Sequence, residues 1–175
     1  MSTDPRYPIG PFEPPPAYTR EFRVACMAEI ASLAPALRAA VHGLSEHQLD
    51  TPFRDGAWTV RQLVHHIADS HLHAYLRTKF AAAEDTPTVK PYDENVWVRF
   101  ADAEEASVDL SIGLLENLHA RWSYFWRCLP DEAFARTLLH PENGPMTLDL
   151  CLASYTWHGK HHTAQIAALR QRMGW

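Results

Sequence analysis

Four long stretches of this sequence repeat apolar residues at the spacing of an amphipathic α-helix, and this repetition limits the possible folds more than any other feature. The stretches cover residues 20–44, 60–83, 107–129 and 148–173. Threonine precedes three of them, and Thr59 begins a capping box with Gln62. The connecting segments are rich in turn-forming residues, and almost none has the alternation of a β-strand. We therefore predict an all-α fold, a four-helix bundle with long crossover loops.

Three local features of the sequence give further expectations. Pro35 lies inside the first stretch, where it removes a backbone N–H and crowds the preceding turn, so we expect the helix to kink or split there. The third helix is expected to bury the stripe formed by Leu110, Leu114, Leu118, Arg121 or Trp122, and Phe125. The proline, asparagine and glycine of residues 140–145 predict a tight reversal that could form a small hairpin.

The N-terminal segment differs in composition from the rest of the chain. The first sixteen residues include six prolines, which exclude a helix there. We expect residues 1–18 to form an extended proline-rich arm on the surface. The whole chain, residues 1–175, is expected to be one domain that buries a core without disulfides or other cross-links.

Charge and cysteine content exclude several classes of protein. The formal net charge of −5 gives no electrostatic reason to expect binding to nucleic acid or to an anionic membrane. Cys26, Cys128 and Cys151 are odd in number, contain no CxxC and lie in apolar helical patterns, as expected for reduced core residues. The N-terminus lacks the pattern of a signal peptide, and no apolar run looks long enough to cross a bilayer. These features predict a cytoplasmic protein.

Histidine is the residue type that points to a function, because the chain has eleven and nine of them lie inside the predicted helices. His158 and His162 are one turn apart, so their imidazoles project from the same face and could share an ion. This spacing alone is a weak motif. However, Tyr155 and Ile166 place the pair on the apolar stripe, where an unpaired imidazole would cost about 1–3 kcal/mol. His161 points in a different direction around the helix. We expect it either to contact and orient one of the metal-binding residues without binding the ion itself, or to lie at the surface.

An ion that performs chemistry needs at least one further protein ligand. His65 and His66 point about 100° apart on the second helix, so one should face the core, and periodicity does not decide which. His71 and His73 are further candidates, although a surface position fits each of them better. Asp69 follows His66 by three residues, where its carboxylate could orient an imidazole, or it could be solvated or ion-paired.

The pattern also bears on the chemistry. The sequence His158-Gly159-Lys160-His161-His162 lacks the glutamate of HExxH, which argues against peptide hydrolysis by the zincin route. Three imidazoles and an open position would let a divalent metal lower the pKa of a bound water to about 7. The open position could instead hold a thiolate. An all-nitrogen site accepts Zn²⁺, Ni²⁺, Co²⁺ or Fe²⁺.

Several motifs occur in an order and at a spacing that match a known family. They are Tyr7-Pro8-Ile9-Gly10, Leu49-Asp50-Thr51-Pro52-Phe53-Arg54-Asp55-Gly56, Trp58-Thr59-Val60-Arg61-Gln62-Leu63-Val64-His65-His66-Ile67-Ala68-Asp69-Ser70-His71, Lys90-Pro91-Tyr92-Asp93-Glu94 and Trp157-His158-Gly159-Lys160-His161-His162-Thr163-Ala164. Through them the sequence resembles the YfiT branch of the DinB/YfiT superfamily over nearly its whole length.

The resemblance implies a cytoplasmic homodimer of four-helix bundles, with one divalent metal, Zn or Ni, per subunit. It implies that the metal ligands are His66, His158 and His162. Members are described as metal-dependent hydrolases, whereas other relatives are thiol-dependent transferases or isomerases. Three functions therefore stay open: a hydrolase that activates water against a small-molecule substrate, an S-transferase that conjugates a low-molecular-weight thiol, and a non-catalytic metal-binding module of a stress response.

Overall fold

Four long helices form the body of the protein, whose structure is a computed structural model that describes residues 4–175. In chain order the elements are α1 (Arg20–Val41), α2 (Glu46–Leu49), α3 (Val60–Ala83), α4 (Glu94–Trp97), α5 (Ala101–Glu104), α6 (Val108–Cys128), β1 (Thr137–His140), β2 (Gly144–Thr147) and α7 (Leu148–Met173). Helix α1 packs against α6 and α7, and α3 packs against the same two helices, which confirms the predicted four-helix bundle. A 3₁₀ turn, Asp131–Ala135, and an antiparallel hairpin, β1 with β2, lie between α6 and α7.

The helix starts follow from side chains that accept hydrogen bonds from the first backbone N–H groups. Thr59 and Gln62 form the predicted capping box at the start of α3, with each side chain bonded to the other's backbone N–H. Thr147 accepts from the N–H of Leu150 at 3.1 Å and begins α7. Helix α1 ends at Val41 rather than near residue 44, because a glycine with a φ of 76° follows at position 43.

Pro35 does not split α1, which continues through it as one helix. Pro35 is exposed, so water can solvate the carbonyl that loses its partner. Leu33, Ala34 and Leu37 are buried around it and hold the helix against the rest of the bundle.

The buried face of α6 differs from the expected one. Leu110 and Leu114 are 69% and 44% exposed, so two of the five positions of the predicted stripe face outward. Both the predicted and the observed sets repeat at helical spacing, and periodicity alone cannot choose between them. The observed core face is formed by Ile112, Leu115, Leu118, Trp122 and Trp126.

The structure corrects two further expectations, that all three cysteines are buried and that no segment could span a membrane. Cys26 and Cys151 are buried free thiols, whereas Cys128 is exposed at the end of α6. By length and apolar composition α1 could span a membrane, contrary to the expectation that no segment could. Its buried residues pack against α6 and α7, and a helix packed in a bundle core meets the same criterion.

The N-terminal segment lies against α7. Residues 4–18 contain neither helix nor strand, and residues 1–3 of the expected arm lie outside the described part of the chain. The carbonyl of Arg6 accepts a hydrogen bond from Gln165 Nε2 at 2.9 Å, and that of Gly10 accepts from Trp157 Nε1 at 3.2 Å. The segment is therefore attached to the helix that carries most of the candidate ligands.

Candidate metal centre

Three imidazoles from two helices meet in the bundle. One ring nitrogen from each of His66, His158 and His162 lies within 4.8 Å of the others, and Nε2 of His66 is 3.2 Å from Nε2 of His158. Nitrogens about 2.0–2.1 Å from one tetrahedral ion are separated by about 3.3 Å. The spacing and the donor type therefore fit a divalent metal bound by these three residues.

Local sequence places the three rings. The cap at Thr59 sets the phase of α3, and with Ile67 fully buried, His66 points toward α7. On α7, Gly159 lets α1 approach closely, because a Cβ at this position would lie 2.2 Å from Cδ2 of Leu33. The close contact between α1 and α7 thus depends on the residue next to His158.

The three imidazoles are neutral at neutral pH. Burial lowers the pKa of His66 to about 4 and that of His162 to about 3. The pKa of His158 is lowered first by burial and then by the neighbouring rings of His162 and His66. Metal binding needs the neutral form, so no proton has to be displaced from these rings at pH 7.

Gln165 holds His162 from the side away from the cluster. Its Oε1 accepts a hydrogen bond from Nδ1 of His162 at 2.8 Å, so Nε2 keeps its lone pair for an ion. The bond from Gln165 Nε2 to the Arg6 carbonyl fixes the amide in this orientation. Gln165 was not among the candidates from sequence, although it follows His162 by three residues and therefore shares its helix face.

His161 is buried rather than exposed. Its ring stacks on Trp157 with centroids 4.4 Å apart, and its Nε2 accepts from Gln165 Nε2 at 3.1 Å. His161 therefore contacts His162 partly through Gln165. Of the two positions that the sequence allowed for His161, the surface one is excluded.

A chain of histidines extends from the cluster into the core; we call His158, His71 and His119 the histidine chain. Nδ1 of His158 lies 3.3 Å from Nε2 of His71, and Nδ1 of His71 lies 3.0 Å from Nε2 of His119. If Nε2 of His158 binds an ion, its proton is on Nδ1, and each ring then donates to the next. The expectation that His71 lies at the surface is wrong, because it is 0% exposed, and sequence gave no signal for His119.

The other candidate histidines have structural contacts. His65 is buried and lies 2.7 Å from Ser111 Oγ and 3.2 Å from the Ala106 carbonyl. The expectation that only one residue of the pair faces the interior is therefore wrong, because α3 is covered by α5 and α6 on one side and by α7 on another. His73 is half-buried and stacks on Tyr92 with centroids 4.4 Å apart.

Asp69 does not orient an imidazole. Within residues 4–175, Nδ1 of His66 has no hydrogen-bond partner, and both ring nitrogens of His65 are bonded elsewhere. No ion pair of Asp69 occurs in the same range. Burial, followed by the charge of Asp102, raises the pKa of Asp69 to about 6, because no cation compensates its charge.

Two cavities adjoin the cluster. One of about 330 Å³ has His158 and Tyr155 in its wall. The other, of about 280 Å³, includes His162 and Trp58. Small molecules can therefore approach two of the three rings.

The fold and the three-histidine cluster together define a family. A family model described as the DinB superfamily matches residues 29–166, and the chain belongs to that superfamily. Within it the similarity is to YfiT and its relatives, which confirms the resemblance seen in the sequence motifs. "Putative metal-dependent hydrolase YfiT" of Bacillus subtilis (strain 168) is 42% identical over 170 residues, covering 97% of this chain and 96% of the relative.

Two further comparisons also show similarity to YfiT and its relatives. "Putative metal-dependent hydrolase" of Geobacillus thermodenitrificans (strain NG80-2) is 49% identical over 179 residues, with both chains covered completely. The solved structure of Bacillus subtilis YfiT, described as a probable metal-dependent hydrolase with an unusual four-helix bundle topology, superposes with a TM-score of 0.95 at 41% identity, covering 98% of each chain.

Proposed function

We propose that this protein is a metal-dependent hydrolase whose divalent metal, Zn or Ni, is held by His66, His158 and His162. The observation that carries the proposal is the convergence of three neutral imidazoles, with ring nitrogens within 4.8 Å, beside cavities that reach two of them. In the described part of the chain no fourth histidine, cysteine or carboxylate joins this group. A coordination position left open favours chemistry over a closed structural or stress-response site. The names of the relatives support the same activity.

The chain's own groups prepare the site. When bound, the metal would supply a Lewis acid and lower the pKa of a coordinated water to about 7. Gln165 and His71 accept from Nδ1 of His162 and of His158, which leaves Nε2 of both rings free to bind. Burial raises the pKa of Tyr155, so its hydroxyl stays protonated in the cavity wall and can donate a hydrogen bond to a substrate oxygen.

The test compares full-length protein without metal, with one zinc and with one nickel. We expect water-dependent turnover of at least one substrate in a panel of esters, amides and lactones, with ¹⁸O from water entering the product. Ala replacements at His66, His158 or His162 should abolish stoichiometric metal uptake, measured by mass spectrometry of bound metal. His65→Phe, a change at a buried histidine outside the cluster, serves as the control. Equal turnover with and without metal across the panel would remove the hydrolase proposal.

Thiol transfer is the second candidate, and the surroundings of the cluster favour it specifically. Within residues 4–175 no aspartate or glutamate lines either of the two cavities beside the cluster, so no carboxylate lies there to act as a general base for water. A thiol that coordinates a divalent metal loses its proton without such a base. In the Co²⁺-substituted protein, a thiol entering the coordination sphere would produce a sulfur-to-metal charge-transfer band. Product formation that depends on added thiol would support transfer, and activity independent of thiol would exclude it.

We also propose a cytoplasmic homodimer. Leu72, Leu76 and Phe80 recur every four residues on α3 and are 38%, 45% and 49% exposed, which gives one apolar stripe for a second copy to cover. Light scattering coupled to gel filtration should give the mass of a dimer, and Leu76→Glu should convert it to a monomer. A monomeric wild-type protein would rule out this assembly.

A further inference from the structure

The cavity beside His158 has the dimensions and the lining of a small-molecule site. Its volume of about 330 Å³ is at the lower end of the range of about 300–1,000 Å³ found for such sites. Most of its wall is apolar, formed by Phe12, Ala74, Leu138, Met146, Leu150 and Trp157. A ligand with a compact apolar body therefore fits the greater part of it.

The charge of the cavity wall is opposite to that of the whole protein. Arg77 lines the cavity, and no aspartate or glutamate does so in the part of the chain that the structure describes. The sequence carries 21 acidic residues and a net charge of −5. A concave site with one cation and no carboxylate attracts anions locally, and a metal at the neighbouring cluster would add to this attraction.

In the part of the chain that the structure describes, Arg77 has only neutral partners. Its Nη2 donates to the Lys90 carbonyl at 2.8 Å, and Nη1 makes a long bond of 3.4 Å to the Tyr155 hydroxyl. Within residues 4–175 Nε is buried without an acceptor, and no carboxylate forms an ion pair with Arg77. Arg23, by contrast, forms a two-point ion pair with Asp149 at 2.7 and 2.8 Å. Arg77 therefore retains the capacity to bind a carboxylate by charge-assisted hydrogen bonds.

His140 adds a second donor to the same wall. Its Nδ1 accepts from the backbone N–H of Glu142 at 3.3 Å, which places the ring proton on Nε2. Burial, followed by the charge of Arg77, lowers the pKa of His140, so the ring is neutral. An anion bound beside Arg77 thus meets a neutral N–H donor.

We propose that this cavity binds a carboxylate group of the substrate, with Arg77 as its ionic partner and with the bond to be cleaved lying at the His158 end. The substrate class is a small carboxylic acid with an apolar body that also carries an ester or amide bond. The inference rests on the proposed function because the cavity adjoins a ligand of the proposed metal centre. The binding of the carboxylate can nevertheless be measured without turnover.

The experiment compares two probes of nearly equal shape, phenylbutyrate and the neutral phenylbutyramide, by calorimetry on the full-length protein. We expect the carboxylate to bind more tightly than the amide both in metal-free and in zinc-loaded protein. Arg77→Gln should weaken phenylbutyrate binding by about 10- to 100-fold and leave binding of the amide nearly unchanged. Lys79→Gln is the matched control, because it removes a cation from the same helix outside the cavity, where it lies 5.0 Å from the ring of Phe125.

Three results would overturn the proposal: equal binding of the two probes to wild-type protein, an unchanged preference for the carboxylate in Arg77→Gln, or carboxylate binding that requires zinc. Because Arg77 also bonds the Lys90 carbonyl, its loss could unfold the protein, which circular dichroism would reveal. In that case Leu150→Glu places a carboxylate in the same cavity, and unchanged phenylbutyrate binding would be decisive against the proposal. The two proposals are tested separately. A negative hydrolase assay would not change the measured preference for the carboxylate probe, and equal binding of the two probes would not change the measured uptake of metal.

Discussion

The histidine chain gives the sharpest prediction, made by replacing His71 with phenylalanine. The change keeps an aromatic ring in a position that is 0% exposed and removes both nitrogens. Nδ1 of His158 and Nε2 of His119 then lose the partners that lie at 3.3 and 3.0 Å. Each of these two buried unpaired groups costs about 1–3 kcal/mol, so we expect the free energy of unfolding to fall by about 2–6 kcal/mol.

The same replacement should weaken metal binding. Removing a group that orients a metal-bound histidine usually lowers affinity by about 10- to 100-fold. The contact from His158 is long at 3.3 Å, so we expect a loss near the lower end, about 10-fold. Competition with a chromogenic chelator measures the affinity for zinc, and guanidinium unfolding followed by tryptophan fluorescence measures the stability.

His65→Phe provides the control on the same helix. His65 is also buried and makes two hydrogen bonds, to Ser111 and to Ala106, but it does not touch the cluster. The His65→Phe variant should be less stable than the wild-type protein but should keep its zinc affinity, whereas the His71→Phe variant should lose both stability and zinc affinity. If the two variants showed the same zinc affinity, the histidine chain would have no role in orienting His158. Nitrogen-15 NMR offers an independent check, because the zinc form should carry the His158 proton on Nδ1.

Three further predictions concern packing and charge. Gly159→Ala should destabilise the protein by about 1–3 kcal/mol through contact with Leu33, and Leu33→Ala should relieve part of that loss in the double variant, as denaturant melts would show. The raised pKa of Asp69, about 6 against an ordinary 3.8, means that its stabilising contribution is complete below about pH 4 and is lost as pH rises through 6. Asp69→Asn should therefore add about 1–3 kcal/mol at pH 8 and nothing at pH 4, and an effect independent of pH would contradict this account. Asp149→Ala should cost about 1–3 kcal/mol in thermal unfolding, because half-buried Arg23 then keeps the longer contact of 3.6 Å to the exposed Asp131. The double replacement Arg23→Met with Asp149→Leu should cost less, because it leaves no half-buried charge with a weak partner.

Sequence predicts best what is decided by neighbours in the chain. The start of α3 follows from Thr59 and Gln62, whose mutual hydrogen bonds need no tertiary contact. The pairing of His158 with His162 follows equally from helix geometry.

Features that depend on packing between helices could not be predicted from the spacing of residues along the chain. His65 and His66 are both buried because α3 is covered on two sides, and the choice of His66 came from the family resemblance. His119 lies 48 residues from its partner His71, and only the packing of α6 on α3 brings them together. The buried face predicted for α6 was wrong for the same reason. Apolar residues recur at helical spacing both from Leu110 and from Ile112, and only the packing of the other helices decides which set is buried.

The amide of Gln165 connects the two ends of the chain at the candidate metal centre. Its NH₂ group donates a hydrogen bond to the Arg6 carbonyl in the N-terminal segment, and its oxygen accepts one from Nδ1 of His162. Removing residues up to Gly10 would leave the amide nitrogen of Gln165 with one acceptor, Nε2 of His161, instead of two. The amide could then turn its NH₂ group toward His162 in a fraction of the molecules. In that fraction the imidazole would carry its proton on Nε2, the nitrogen that an ion requires, so a cut far from the cluster would weaken metal binding by changing a tautomer.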